Sequence, residues 1–208
     1  MTENNAASGL STCVTDASTR SFVLPANSPA EDYHWYPMYV KYRKELSVQE
    51  ELNANDFRTF VPMETFHVKH GSSVRAEVRP AIHNLLFVYS FKRRISWMKM
   101  FNRACAPLQY MSRHLLDGRS EIITVTERAM ENIIRAATVD DPDGQRTYTD
   151  RRLSITDLDR RIRFTSGTFK DVEGIIKRIN GNRAMVIPLT VGINMKITIT
   201  RASDIEFL

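Results

Sequence analysis

Residues 35–66, WYPMYVKYRKELSVQEELNANDFRTFVPMETF, contain the side chains of this sequence that are best suited to bind a ligand. Lys41, Arg43 and Lys44 stand between an apolar stretch and the start of a helical pattern. No nucleophile, general base or metal-ligand set accompanies them, so the segment indicates binding rather than catalysis. Helix N-termini favour anions, and cations beside one suit the phosphates of a nucleic acid. The alternative is an ordinary solvated charged surface.

Three further side chains extend this hypothesis. Arg103 is a candidate for phosphate or single-strand contact, and Asn55 and Arg58, at the other end of the predicted helix, are candidates for base contact. An exposed charged residue taken singly has the same alternative, a solvated surface position.

Other clusters of residues that could bind a metal or act in catalysis give no predicted site. His67 and His70 form an H-x-x-H pattern without a third ligand nearby, so we expect no metal there. The carboxylates at 140, 141 and 143 suit a solubilising linker better than a cation site. No Gly-rich phosphate loop and no Ser/His/Asp order stands out. The sequence therefore predicts no enzyme, no metal and no cofactor.

Composition and charge agree with a binding protein. The chain has 208 residues, 42% hydrophobic content and a formal net charge of +5, and residues 35–137 alone carry a net +6. A basic balance is consistent with a nucleic-acid partner. The two cysteines, Cys13 and Cys105, form no disulfide framework, and no stretch is long and apolar enough to span a membrane. We expect a cytoplasmic protein without a membrane partner.

The elements that position these residues follow from periodicity and turn signals. Residues 1–33 predict a flexible leader, 34–137 a first folded part, 138–156 a linker and 157–208 a second folded part. The predicted strands of the first part are 35–40, 57–66, 81–91 and 108–113, with a hairpin over 67–78. The predicted helices are 43–55 and 124–137, the second capped by Thr126, and 95–102 is a short amphipathic segment. Short strands at 161–165, 172–179, 184–189 and 196–200 predict a small C-terminal β-barrel, so the fold class is α+β.

Two stretches resemble a known family. Residues 35–66 resemble the opening of the N-terminal domain of NusG-family transcription elongation factors, an antiparallel sheet with flanking helices. Residues 160–189, RRIRFTSGTFKDVEGIIKRINGNRAMVIPL, resemble the SH3-like KOW module that follows it in that family. The helix VTERAMENIIRAA lies where the family has its domain-closing helix, and the resemblance spans about residues 35–208.

The resemblance implies partners and site residues. The family's first domain docks on the clamp of RNA polymerase through an apolar groove, beside upstream DNA. The implied groove positions here are Ile82 and Leu85, with Phe87 on the same strand. Ordinary core packing is the alternative for each of these side chains. The KOW module of the family contacts a ribosomal protein or the termination helicase.

The departures from the family's pattern point to a specialised relative. The family usually has Pro-Gly-Tyr before the central apolar strand, where this sequence has His83-Asn84-Leu85. The KOW turn usually reads Lys-Gly-x-x-Gly, and here Lys170, Asp171 and Gly174 occupy the defining positions. Asp tolerates a positive φ better than most residues, so we expect the turn to persist.

The sequence supports three hypotheses about function. The first is an elongation factor that binds RNA polymerase and promotes processive antitermination on a specific long operon, with upstream or non-template DNA as a second partner. The second is a housekeeping NusG-type factor that couples polymerase to the termination helicase or ribosome, or an RNA- or ribosome-binding KOW protein. The third is an enzyme with an unrecognised site.

Overall fold

The computed structural model describes residues 32–70, 73–141, 143–149, 159–179, 182–199 and 204–208. The predicted leader, 1–33, lies outside these residues except for its last two positions. Within the described ranges, no helix combines the length and apolarity needed to cross a bilayer.

The first part of the chain runs from β1 to α3. Its elements are β1 (His34–Val40), α1 (Glu45–Ala54), β2 (Arg58–Phe60), β3 (Met63–His70), β4 (Ser73–Pro80), β5 (Leu85–Ser90), α2 (Lys92–Phe101), β6 (Leu108–Tyr110), β7 (Ser112–His114), β8 (Ser120–Ile122) and α3 (Glu127–Thr138). A four-stranded sheet in the order β2-β5-β1-β6 forms its centre, while β3–β4 and β7–β8 form separate hairpins. Helices α1 and α2 connect strands that are parallel to each other, as in split βαβ folds.

The central strand β5 is buried on both faces, which explains its continuous apolar sequence. Leu86 and Val88 pack with residues of α1 and α2, whereas Leu85 and Phe87 pack on the opposite face with residues of α3. Alternation along the strand places these pairs on opposite sides of the sheet. The sheet is therefore the middle layer of the first part.

The core beneath α1 and α2 includes Cys105, which lies in a 3-10 turn after α2 and is fully buried. Burial, reinforced by the nearby Glu51 carboxylate, raises the pKa of the Cys105 thiol to about 12. This thiol is uncharged at neutral pH and acts as a small apolar core residue.

The last part of the chain is a six-stranded antiparallel sheet, called here the C-terminal sheet. Its strands are β9 (Arg146–Thr149), β10 (Arg161–Phe164), β11 (Glu173–Ile179), β12 (Asn182–Thr190), β13 (Ile193–Thr198) and β14 (Ile205–Phe207). They are arranged in the order β14-β10-β11-β12-β13-β9. The α+β fold class with a β-rich C-terminal region is thus confirmed.

Several predicted boundaries are wrong for local reasons. The strand predicted over 57–66 divides into β2 and β3 around Pro62, whose ring nitrogen has no N–H to donate to a sheet. The strand predicted over 108–113 also divides, because β6 pairs with β1 while β7 pairs with β8. The predicted strand 81–91 begins only at Leu85, after a turn.

The predicted linker, 138–156, is wrong over 146–149, because β9 lies there and pairs with β13. Arg146 also closes the C-terminal end of α3, since its Nη1 donates to the carbonyl oxygens of Ala136 and Val139, each at 2.8 Å. Residues 150–156 lie outside the described residues. Residues 146–149 therefore belong to the C-terminal sheet and not to a linker.

Helix α3 also contacts the C-terminal sheet directly. The Asn132 amide pairs with the backbone of Glu173, donating from Nδ2 to the carbonyl oxygen at 2.7 Å and accepting from the N–H at 2.8 Å. Apolar residues of both parts belong to one buried cluster, and both parts belong to one compact unit. The expectation of two separately folding domains stays a prediction, and these contacts argue against it.

Candidate nucleic-acid interface

The three cations identified from the sequence lie in the turn between β1 and α1, called here the basic turn, residues 41–44. Hydrogen bonds at the start of the turn join it to the residues that precede β5 and β6. The Val40 N–H donates to the Asn84 carbonyl at 2.9 Å, and the Lys41 N–H donates to the Pro107 carbonyl at 3.1 Å. The end of β1 is therefore fixed between the residues before β5 and those before β6.

The backbone of the basic turn adopts an uncommon conformation. Tyr42 and Arg43 have φ values of 66° and 53°, in the left-handed region that side chains other than Asn, Asp and Gly rarely adopt. Asn84 supports it, because its Oδ1 accepts from the Arg43 N–H at 3.2 Å. Asn84 in turn is held by Glu45, whose carboxylate accepts from the Asn84 N–H. Strained backbone that its surroundings hold in place is typical of functional sites.

Charge is distributed unequally across this turn. Lys41, Arg43 and Lys44 are all exposed, whereas Glu45 is only 2% exposed and its carboxylate is directed inward to Asn84. The nearest acidic residue in the sequence is thus withdrawn from the surface that carries the cations. Exposed cations on a backbone that is held in place can contact the phosphates of a nucleic acid.

The other predicted contact residues divide between two ends of the sheet. Arg103 is exposed in the 3-10 turn before β6, whose first residue pairs with the last residue of β1. It therefore belongs to the same end as the basic turn. Asn55 and Arg58 follow α1 at the opposite end, where Arg58 pairs with Tyr89 near the end of β5.

Asn55 and Arg58 also have structural contacts of their own. The Asn55 Nδ2 donates to the Glu51 carbonyl at 2.8 Å and so closes the end of α1. The Arg58 guanidinium lies over the rings of Tyr89 and Trp35, at 4.8 and 5.5 Å from their centroids. Cation–π contacts of this kind stabilise a protein surface. The conformations of Asn55 and Arg58 thus have structural causes that do not require a nucleic acid.

The predicted polymerase groove is mostly interior in this structure. Leu85 and Phe87 are 1% and 0% exposed, and Ile82 is half-buried at the margin of the same apolar cluster. The burial favours core packing, the alternative that the sequence left open, for Leu85 and Phe87. Ile82 is the member of this set with accessible surface.

The predicted KOW turn faces α3. Lys170 is exposed, and Asp171 has a positive φ of 64°, as a persisting turn would require; that this is a KOW turn stays a prediction. The Asp171 carbonyl accepts from the Arg135 guanidinium at 3.1 Å. Gly174 is required for close packing, since an added Cβ would clash with the Met185 side chain and lie 2.9 Å from the Val186 carbonyl oxygen.

Sequence reasoning missed the residues that shape the basic turn, namely Tyr42, Glu45 and Asn84. An Asn before an apolar strand was the available signal, because Asn adopts positive φ more readily than most residues, and Asn84 has a φ of 65°. As for the H-x-x-H pattern, the described residues contain no group of three or more His, Cys, Asp or Glu that could hold a metal ion.

Comparison with known families agrees with this geometry. Residues 33–134 match the NusG family, described as transcription termination factor nusG, and this range runs from the start of β1 into α3. Residues 33–134 therefore form a NusG domain, and factors of this family act in transcription and bind RNA polymerase. No curated protein matches the sequence. The match ends before the C-terminal sheet, so the KOW resemblance stays a prediction.

Proposed function

We propose that this protein is an elongation factor that binds the clamp of RNA polymerase and promotes processive antitermination, on a specific long operon, in the cytoplasm. The observation that carries the proposal is a NusG domain whose basic turn presents three exposed cations on a backbone held by Asn84, while Glu45 is turned inward. Neither catalysis nor a cofactor is part of the proposal. Such a factor acts by holding polymerase and nucleic acid in one arrangement.

The proposed role of the basic turn is contact with upstream or non-template DNA. Lys41, Arg43 and Lys44 are consecutive apart from Tyr42, and Arg103 lies at the same end of the sheet. Hydrogen bonds to Asn84 and Pro107 fix the turn before any ligand arrives. A fixed turn loses less conformational freedom on binding than a flexible one does. Phosphate contacts of this kind position a protein without reading sequence.

The proposed polymerase contact is the apolar surface around Ile82. This side chain is half-buried and packs against the cluster that contains Leu85 and Phe87. An apolar surface supported from beneath suits the apolar face of a partner helix. Leu85 and Phe87 would then support the surface rather than touch the partner.

The C-terminal sheet is proposed to be a KOW domain whose partner is a ribosomal protein or the termination helicase. Its turn at Lys170, Asp171 and Gly174 lies against α3, with the Asp171 carbonyl held by Arg135. A partner that bound this turn through Asp171 would have to displace that contact.

The test is a transcription assay on a template with an intrinsic terminator. The triple variant Lys41→Gln/Arg43→Gln/Lys44→Gln should reduce readthrough and recruitment to the elongation complex. Its affinity for polymerase without nucleic acid should not change, because the loss is confined to phosphate contacts. The matched control is Lys92→Gln/Arg93→Gln/Arg178→Gln, which removes the same charge from exposed positions elsewhere and should keep full readthrough.

The two variants separate a specific contact from a general effect of charge. Equal readthrough by the triple variant and wild type would exclude the basic turn from the DNA contact. Equal loss in both variants would assign the effect to net charge alone. Loss of binding to free polymerase would move the basic turn to the protein interface.

A further inference from the structure

The basic turn carries an aromatic ring that the fold does not use. The Tyr42 side chain is 78% exposed, which makes it the most exposed aromatic residue in the part of the chain that the structure describes. Two other exposed rings, Tyr33 and Phe101, have ring neighbours: Tyr33 contacts Tyr89 and Phe91, and Phe101 contacts Trp97. The Tyr42 ring has no such stacking neighbour among the described residues. Folding therefore gains little from this ring.

The backbone fixes the direction in which the Tyr42 side chain leaves the chain. Tyr42 has a φ of 66°, and the following Arg43 is held in the same left-handed region by its hydrogen bond to Asn84. A bulky side chain is uncommon in this region, where Gly or Asn would be less strained. The exposed ring thus has a conformational cost and no compensating burial. An outlier of this kind is a reason to infer a function.

The neighbours of the ring indicate which kind of ligand would cover it. Tyr42 is flanked by Lys41 on one side and by Arg43 and Lys44 on the other, and all three are exposed. An apolar protein surface would be a poor match for an aromatic ring whose neighbours in the chain are exposed cations. Single-stranded nucleic acid is a good match, because its bases stack on aromatic rings while its phosphates contact cations.

We propose that Tyr42 is a stacking platform for one unpaired nucleobase of a strand whose phosphates contact Lys41, Arg43 and Lys44. The proposal rests on the proposed function, since it uses the same basic turn, and adds the recognition of a base to the contact with phosphates. Stacking tolerates any base and requires that the base be unpaired. The basic turn would therefore select single-stranded over duplex nucleic acid.

The experiment measures binding of the full chain to fluorescently labelled 12-nucleotide strands of oligo-dT, oligo-rU and an abasic sugar–phosphate strand of equal charge. Tyr42→Ala should weaken binding to the base-containing strand about 5- to 150-fold, the range expected for loss of one stacked base. Tyr42→Phe keeps the ring and should bind within about twofold of wild type, because stacking does not require the hydroxyl. Phe101→Ala, at an exposed ring on α2, is the matched control and should have no effect.

The abasic strand separates stacking from electrostatic attraction. Wild type and Tyr42→Ala should bind it equally, since it offers no base. A larger effect of Tyr42→Ala on oligo-dT assigns the platform to DNA, and a larger effect on oligo-rU assigns it to RNA. Equal binding of wild type and Tyr42→Ala to both base-containing strands would overturn the proposal. An equal loss of binding to the abasic strand would also overturn it.

Different results would contradict the proposed phosphate contacts and the proposed base stacking. The Lys41→Gln/Arg43→Gln/Lys44→Gln variant should have a shallower dependence of affinity on salt, whereas Tyr42→Ala should keep the wild-type slope. An unchanged slope in the triple variant would remove the phosphate contacts and with them the proposed function. A changed slope with no effect of Tyr42→Ala would remove only the stacking platform. Thermal unfolding should be similar for both variants, because the side chains are exposed.

Discussion

The contact between Asn132 and Glu173 gives the sharpest test of how α3 and the C-terminal sheet are joined. Asn132→Ala removes two hydrogen bonds, at 2.7 and 2.8 Å, and leaves the Glu173 N–H and carbonyl without these partners. At about 1 kcal/mol net for each bond, the free energy of unfolding should fall by about 2 kcal/mol. For a chain of this size, that change lowers Tm by about 4–8 °C.

The assay is urea unfolding followed by circular dichroism, with Glu131→Ala as the control. Glu131 is the exposed neighbour of Asn132 on α3, and its replacement should change the free energy of unfolding by less than about 0.5 kcal/mol. If the two parts fold together, one transition should shift in Asn132→Ala with its slope unchanged. An unchanged midpoint would show that the two hydrogen bonds do not stabilise the fold. Two transitions, of which only one shifts, would favour separate domains.

The remaining predictions concern the core, pH and a turn. Leu85→Asp should unfold the first part because it buries a charge, whereas Ile82→Asp should keep the fold and lose polymerase binding, which circular dichroism and a pull-down would distinguish. The Arg163 guanidinium, at 2.6 Å, holds the pKa of Glu173 below its ordinary value of 4.5. The stability that this pair contributes is present above pH 4.5 and is lost as the pH falls through the lowered pKa. In Glu173→Gln the free energy of unfolding should therefore depend less on pH in the acid range than in wild type. Parallel curves of unfolding free energy against pH would contradict this. Asp171→Ala should be about 1 kcal/mol less stable than Asp171→Gly in urea, because its φ is positive, and the reverse order would contradict the geometry.

Local patterns made most of the first part predictable. The apolar stripe of α3 and its capping residue Thr126 were readable, and the cap is confirmed, since its side chain accepts from the Ala129 N–H at 3.3 Å. A positive φ was predictable at Asp171, where the family has glycine. It was not predictable at Tyr42, because nothing in a Tyr side chain favours the left-handed region. That conformation depends on Asn84, 42 residues away in the sequence.

Long-range pairing explains the larger errors. Strand β9 is four residues long and follows an Asp-Asp-Pro-Asp-Gly turn signal, so the sequence predicted a linker, and only pairing with β13 makes it a strand. Likewise, the sequence LLFVYS could not show which residues of β5 line an accessible groove. A strand covered on both faces is apolar throughout, and exposure depends on which helices cover it.

The buried thiol of Cys105 gives the protein a built-in reporter of local opening. With its pKa raised to about 12 by burial and by Glu51, this thiol is neither exposed nor ionised at neutral pH. An alkylating reagent can therefore modify it only when the layer formed by α1 and α2 lifts from the sheet. The modification rate, measured on the peptide that contains Cys105 to separate it from Cys13, gives the free energy of that opening. Comparing this rate with and without polymerase or oligonucleotide would show whether ligands bound to this domain tighten its helical layer.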